Sequence, residues 1–274
     1  MKERLDILLV KRGLVDSRQK AQSLIMAGEV VVDNQRVDKA GARFLIDCDL
    51  RIKAQVPYVS RGGLKLESVY ESLCFEVKNF SFMDVGSSTG GFTDFLLKRG
   101  ARRVFCVDVG TNQLHNKLRQ DERVVSREQT HILNLKIEDL PFPIESIVMD
   151  VSFISVTRLF DHLSTLGEQG HRLICLIKPQ FEVGKNQVGS KGVVKDFDLT
   201  LNSLRVALNS LREAGYNLKK LDYCRIPGPN GNVEYFALAV HEIGSDKLCD
   251  EEMIRTVVQQ RFSDSSLPFS KLTK

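Results

Sequence analysis

No two of the six cysteines form a C-x-x-C pair, and no stretch of the chain approaches the ~18 consecutive apolar residues that a membrane-spanning helix needs. The first absence argues against zinc or other metal binding and against a disulfide framework. Cys106 and Cys175 lie inside apolar runs, where a thiol acts as a small hydrophobe. A reducing compartment is expected. The second absence excludes a spanning segment, since the N-terminal "MKERLDILLVKRG" is interrupted by Asp6, and a cytoplasmic protein without membrane contacts is expected. With 274 residues and 42% apolar content the chain can bury a proper core, so it is globular.

A basic excess is also absent from most of the chain. Residues 1 to 65 hold 13 Lys and Arg against 8 Asp and Glu, whereas the remainder holds 26 against 27. The net charge of +4 is therefore an N-terminal property. Such a local excess points to an anionic partner, nucleic acid first, with a merely solvated surface as the alternative.

In residues 4–12, Leu5, Leu8 and Leu9 recur at helical spacing before Gly13, a helix stop. Asp16 or Ser17 caps a second helix that ends at Gly28. "EVVVDNQRV" then reads as two short strands around Asp33-Asn34, and "LRIKAQV" as a further strand. The result is a helix-helix-hairpin unit of roughly 55 to 60 residues, near the lower limit for an autonomous domain. Ser17 to Asp33, S-R-x-x-A-x-x-L-I-x-x-G-x-V-x-V-D, resembles the small RNA-binding domain named after the fourth protein of the small ribosomal subunit. That resemblance implies contacts to RNA phosphates and sugars from Arg4, Arg12, Arg18, Lys20 and Arg36, with Arg61 just beyond. Duplex RNA is gripped mainly through shape, phosphates and 2′-hydroxyls, which suits such side chains.

From residue 80 the rhythm is strand, loop, helix. "FSFMDVG", "RRVFCVDVG", "SIVMDVSF" and "RLICLIKPQ" are short apolar strands separated by helical patterns, among them 154–168 and 197–214. The alternation predicts a parallel sheet with helices on both faces. "NLKKLDYCRI" and "VEYFALAV" follow with only "PGPNGN" between them, too short for a helix, so the last two strands should form an antiparallel hairpin. A terminal antiparallel hairpin on a doubly wound sheet resembles S-adenosylmethionine (AdoMet) methyltransferases rather than dinucleotide oxidoreductases, so the expected fold is α/β, a Rossmann-like AdoMet-dependent methyltransferase sheet, with a small N-terminal α+β RNA-binding domain. Expected boundaries are 1–59, 60–245 and a helix and tail at 246–274. Oligomeric state is not legible.

"MDVGSSTGGFTDFLL" places a glycine turn between a strand and a helix. A nicotinamide site would read G-x-G-x-x-G, with pyrophosphate at the helix N-terminus. Gly86 to Gly91 read G-S-S-T-G-G instead, and Asp84 suits a ligand bearing an amino group and a sulfonium better than one bearing phosphates. Asp108, 24 residues after Asp84, is placed to accept from both hydroxyls of an adenosine ribose. The loop alone could be structural; with Asp108 and the hairpin, AdoMet is favoured over NAD. The cofactor set is Asp84, Gly86, Ser87, Ser88, Thr89, Gly90, Gly91, Phe92 and Asp108.

Asp150 and Lys178 both stand at the C-terminal ends of central strands, where open α/β sheets place ligands, although an ion pair of purely structural value is the alternative. Lys65 in "SRGGLKLE" and Glu234 in "GNVEYF" are singly no more than surface residues. Together the four resemble the Lys-Asp-Lys-Glu tetrad of FtsJ-like ribose 2′-O-methyltransferases. The whole chain from about residue 3 to 241 resembles the hemolysin-A-like (TlyA) family, which methylates ribosomal RNA; "YVSRGGLKLE", "DVGSSTGGFTD", "DVSFIS", "KPQFEVGK" and "GNVEYF" carry the likeness. The resemblance implies ribosomal RNA or a ribosomal subunit as partner and the tetrad as catalytic. Lys178 is then assigned as base, Asp150 as its orienting partner, and Lys65 with Glu234 as acceptor-positioning groups. Thr130 to Leu133 depart from the family's T-N-x-R, which questions cofactor contacts there. Competing readings are an RNA-binding protein with a non-catalytic methyltransferase fold, a membrane-lytic protein and a nicotinamide oxidoreductase.

Overall fold

The computed structural model describes residues 1–52, 57–184, 188–189, 192–242 and 251–266, and the chain divides into two compact units, Met1–Val56 and Pro57–Lys274. In the first unit β1 (Lys2–Arg4) leads into α1 (Leu5–Lys11), whose Leu5, Leu8 and Leu9 are buried. Gly13 takes φ +67°, a backbone state that glycine enters freely, and the chain turns toward α2 (Arg18–Met26). Ser17 caps that helix by accepting from the Lys20 amide at 3.3 Å. β2 (Val30–Val32) and β3 (Gln35–Val37) form a hairpin across Asp33 and Asn34, both with positive φ, as a tight two-residue turn demands. β4 (Arg43–Leu45) pairs with β1, and β5 (Leu50–Ile52) adds to β2. The β1–β4 pair is not evident from sequence, since three-residue strands of mostly charged residues carry no alternation. Residues 53–56 of the expected strand "LRIKAQV" lie outside the described residues.

The second unit begins with α3 (Arg61–Leu73) and then alternates: β6 (Ser81–Val85), α4 (Gly91–Lys98), β7 (Arg103–Val107), α5 (Asn116–Arg119), β8 (Val124–Arg127) and β9 (Ser146–Met149). α6 (Phe160–Ser164), β10 (Arg172–Ile177), α7 (Pro179–Glu182), α8 (Phe197–Glu213), β11 (Tyr216–Tyr223), β12 (Tyr235–His241) and α9 (Glu251–Ser263) complete it. The seven strands run in the order β11-β12-β10-β9-β6-β7-β8. β12 is antiparallel to both neighbours and the inner strands are parallel, so the terminal hairpin is present. Side chains alternate between two apolar layers. Met83, Val85 and Ile147 face one, with Phe160 and Leu204; Phe82, Val104 and Val148 face the other, with Leu66 and Phe95.

The helix expected over 154–168 is shorter than its pattern. Ser155 accepts from the Thr157 amide at 3.3 Å and starts a single 3₁₀ turn at Val156–Arg158, followed by the five-residue α6. Val156, Leu159, Phe160 and Leu163 are nonetheless all buried. The apolar spacing predicted the buried face correctly and overstated the helix length. The cysteines among the described residues are free, and Cys249 lies outside them.

Candidate functional site

Sheet register brings the predicted residues to one edge. Val85 stands opposite Val107 on β7 and Met149 on β9, Met149 opposite Cys175 on β10, and Ile177 opposite Tyr235 on β12. The residues that follow the parallel strands, Gly86, Asp108, Asp150 and Lys178, therefore emerge side by side. Glu234 joins them because β12 runs the other way and begins at that edge. α3 supplies Lys65.

The four tetrad residues are in contact. Lys178 Nζ lies 2.6 Å from Asp150 Oδ1, Lys65 Nζ 3.4 Å from Asp150 Oδ2, and Lys65 Nζ 2.8 Å from Glu234 Oε2. Lys178 is 5% exposed and Glu234 1%, so these charges are largely withdrawn from water. Burial disfavours the Lys65 ammonium, but the Asp150 and Glu234 carboxylates outweigh it and its pKa is raised. Lys65 is thus a fixed cation. Oε1 of Glu234 has no hydrogen-bond partner among the described residues, an acceptor left open.

The glycine loop is forced close to this cluster. Gly86 has φ +77°, and a Cβ there would stand 2.7 Å from the Asp150 carbonyl oxygen. Only glycine fits. Asp84, 1% exposed inside β6, accepts from the Thr93 amide at 3.1 Å and the Thr93 hydroxyl at 2.6 Å. Burial, opposed by the Thr93 hydrogen bonds and aided by the Asp150 and Asp108 carboxylates, raises its pKa to about 7. Asp108 accepts from the Ser88 amide at 2.8 Å and the Gly110 amide at 2.7 Å.

Two cavities share this edge. One of about 240 Å³ is lined by Lys65, Asp84, Lys178 and Glu234, and by Ser87, Thr89, Gly91 and Phe92 of the loop. A second of about 650 Å³ is lined by Asp108, Gln113, Phe153 and Arg158. Gly86, Ser88, Asp150 and Ser152 line both, while Gly90 caps α4. Thr130, His131 and Ile132 line the larger cavity despite departing from the family pattern: the Thr130 amide donates to the Asp108 carbonyl at 3.0 Å, and His131 Nδ1 accepts from the Leu133 amide at 3.2 Å. Lys185, the last residue of "KPQFEVGK", lies outside the described residues.

Three groups here have no assigned role in the sequence. Ser152 Oγ accepts from Lys178 Nζ at 2.8 Å. Phe153 is 92% exposed, has φ +66°, and holds its ring 5.3 Å from that of Phe181. Glu182 pins the same loop, its Oε2 accepting from the Ser155 hydroxyl at 2.6 Å and its Oε1 from the Val156 amide at 3.1 Å. All belong to quoted motifs, but neither an exposed phenylalanine nor a loop clamp differs in sequence from core or surface residues.

In the first unit the basic residues divide. Arg4 and Arg18 both bond the buried Asp6, each at 3.0 Å, with Gln22 at 2.9 Å. Arg4 first, then Gln22 and Arg18, hold the Asp6 carboxyl well below its usual range. Arg12 donates to the carbonyls of Ile46 and Cys48. Lys20 reaches Asp16 only at 3.9 Å, and Arg36 donates to the Ala27 carbonyl at 3.4 Å. In the second unit Arg61 donates to the Pro227 carbonyl at 2.6 Å.

Residues 58–240 match the FtsJ-like methyltransferase family and residues 3–45 the S4 domain. YqxC of Bacillus subtilis, a candidate rRNA methyltransferase, is 43% identical over 262 residues, 93% of each chain. The 16S/23S rRNA (cytidine-2′-O)-methyltransferase TlyA of Mycobacterium tuberculosis is 39% identical over 235 residues, covering 85% of this chain and 88% of its own. A candidate hemolysin of Streptococcus thermophilus has a solved structure with TM-score 0.74 and 38% identity, covering 94% of this chain and 95% of that one.

Proposed function

The chain belongs to the FtsJ-like methyltransferase family, and from that premise we infer that it methylates a ribose 2′-hydroxyl of ribosomal RNA with AdoMet as methyl donor. The observation that carries the reading is the continuous contact chain Lys178–Asp150–Lys65–Glu234 along one cavity.

The donor set fits AdoMet. Asp84 is a buried carboxylate whose pKa lies near 7 because burial outweighs its hydrogen bonds from Thr93, and the amino group of AdoMet is a cation suited to such a carboxylate. Asp108 stands at the next strand end to receive a ribose, and Gly86 leaves room for close approach. When bound, AdoMet supplies a methyl group already activated on a sulfonium. The protein's task is then to align the acceptor hydroxyl and remove one proton. Alignment contributes up to ~7 to 11 kcal/mol in the best intramolecular cases, and a positioned base typically ~100- to 10,000-fold.

Lys178 takes the proton at Nζ, with Asp150 fixing its direction. Lys65, kept charged by Asp150 and Glu234, shares the Asp150 carboxylate with Lys178. The open Oε1 of Glu234 is suited to accept from an acceptor hydroxyl. The S4 match and the N-terminal basic excess support ribosomal RNA, free or in a subunit, as the partner, which would place the protein in the cytoplasm.

Tritiated AdoMet incubated with the protein and separated ribosomal subunits tests this directly. Label in ribosomal RNA as a 2′-O-methyl nucleoside is expected. Label on a base, or none on either subunit or its free RNA, would defeat the reading.

A further inference from the structure

Among the described residues Lys178 Nζ has two close oxygen partners, and only one of them belongs to the tetrad. Asp150 Oδ1 stands at 2.6 Å and Ser152 Oγ at 2.8 Å. Lys178 is 5% exposed and lines the smaller cavity, so little water reaches it. A neutral lysine amine carries two hydrogens and one lone pair, arranged with Cε at the corners of a tetrahedron. When Asp150 and Ser152 take the two hydrogens, the lone pair is the direction left over.

We propose that Ser152 is a positioning residue for Lys178: with Asp150 it engages both N–H groups of the neutral amine and so presents the lone pair to the acceptor hydroxyl. The proposal rests on the reading of Lys178 as base. In the step itself the ribose O–H bond breaks and its proton passes to Nζ. The oxygen's electron pair forms the new bond to the donated methyl group, and the old bonding pair stays on the donor sulfur. Lys178 ends as an ammonium, which Asp150 and Ser152 continue to accept from.

The loop is built for this task. Ser152 lies between Asp150 and Phe153, and the Glu182 carboxylate anchors the next turn through Ser155 and Val156. A serine at this position serves both protonation states of Lys178, because its hydroxyl oxygen accepts in each and bears no charge that would hold the lysine protonated. A second carboxylate there, added to that of Asp150, would favour the ammonium further.

The test is the pH dependence of single-turnover methylation by the full chain, with tritiated AdoMet and ribosomal subunits at saturation. Ser152→Ala should lower the plateau rate about three- to tenfold, the usual worth of a hydrogen bond between neutral groups. It should also move the rising limb to lower pH, since the ammonium loses an acceptor that favoured it. Ser152→Thr, which keeps the hydroxyl, should restore the rate to within about threefold. AdoMet affinity and melting temperature should be unchanged in both. An alanine variant whose limb stays in place, or whose plateau falls less than about twofold, overturns the proposal, as does a threonine variant no better than alanine. Wild-type protein that transfers no methyl group would instead defeat the function on which it rests.

Discussion

Lys178 and Asp150 meet at 2.6 Å although each ends a different strand. The contact follows from the parallel pairing of β9 and β10, which sets Met149 opposite Cys175 and delivers the next residues to the same edge. Asp150 then divides its two oxygens between Lys178 and Lys65. A carboxylate shared in this way fixes the direction of both lysine nitrogens.

Lys178→Ala should therefore abolish methyl transfer while leaving AdoMet and RNA binding nearly intact. Loss of the base costs on the order of 100- to 10,000-fold in turnover. Asp150→Ala should cost about as much and the double variant little more, because residues acting as one unit are not additive. Lys65→Ala and Glu234→Ala should show milder or mixed losses. Single-turnover methylation at saturation separates chemistry from binding. A Lys178→Ala protein retaining more than about a tenth of the wild-type rate would remove it as base.

Asp84 predicts a pH dependence of stability. Its folded pKa of about 7 lies above the ordinary carboxylate range, so between about pH 4 and 7 the folded protein keeps a proton that the unfolded chain has released. The sign is a loss of stability as pH rises through that window, about 4 kcal/mol if fully expressed. Asp84→Asn cannot ionise and escapes that loss. Without AdoMet, the variant's melting temperature relative to wild type should climb from pH 5 to pH 8. A difference flat in pH would show that Asp84 titrates normally. AdoMet should narrow the gap, because its amino group offers a cation to the carboxylate of the wild type alone.

The sheet was legible because its strands are apolar and its turns carry glycine. Asp108, Asp150 and Lys178 could be placed at strand ends without coordinates. The joining of the tetrad was not legible from spacing, since Lys65 comes from α3 and Glu234 from the start of an antiparallel strand; only resemblance linked them. Asp6 was read as a mere interruption of an apolar run, yet it is a buried hub for Arg4, Arg18 and Gln22. A charge whose partners lie at irregular separations leaves no periodic trace. β8 escaped notice for a related reason, as an edge strand whose residues are mostly exposed.

Phe153 should hold a nucleobase. A phenylalanine 92% exposed and kept at φ +66° is unfavourable for folding and makes sense as a stacking platform on the cavity rim. Stacking on an aromatic is worth about 1 to 3 kcal/mol per base. Phe153→Ala should thus weaken productive RNA binding roughly five- to hundredfold at constant AdoMet affinity. Phe153→Trp should retain binding. Thermal stability should not fall in either, since little is buried. Unchanged RNA affinity and turnover in the alanine variant would leave the exposed ring without a role.

The N-terminal unit should supply much of the RNA affinity, and its cations should not contribute alike. Lys20 is exposed and its nearest carboxylate, Asp16, lies 3.9 Å away, so its charge is available to a phosphate. Lys20→Ala should weaken rRNA binding and flatten the dependence of log affinity on log salt by about 0.7 to 0.9, one released counterion. Arg18 shares its guanidinium with Asp6, so Arg18→Ala should flatten the slope similarly and also loosen the unit. Arg12 differs again. Its guanidinium satisfies the Ile46 and Cys48 carbonyls, so Arg12→Ala should destabilise the first unit by about 1 kcal/mol. Asp6→Asn separates charge from fold: it leaves every cation in place but weakens the ties of Arg4 and Arg18. It should therefore lower the melting temperature of the first unit while leaving the salt slope unchanged. The measurements are rRNA binding titrations across a salt series, paired with thermal unfolding. A chain beginning at Pro57 that bound rRNA with the affinity and salt slope of the full protein would assign the contacts to the second unit instead.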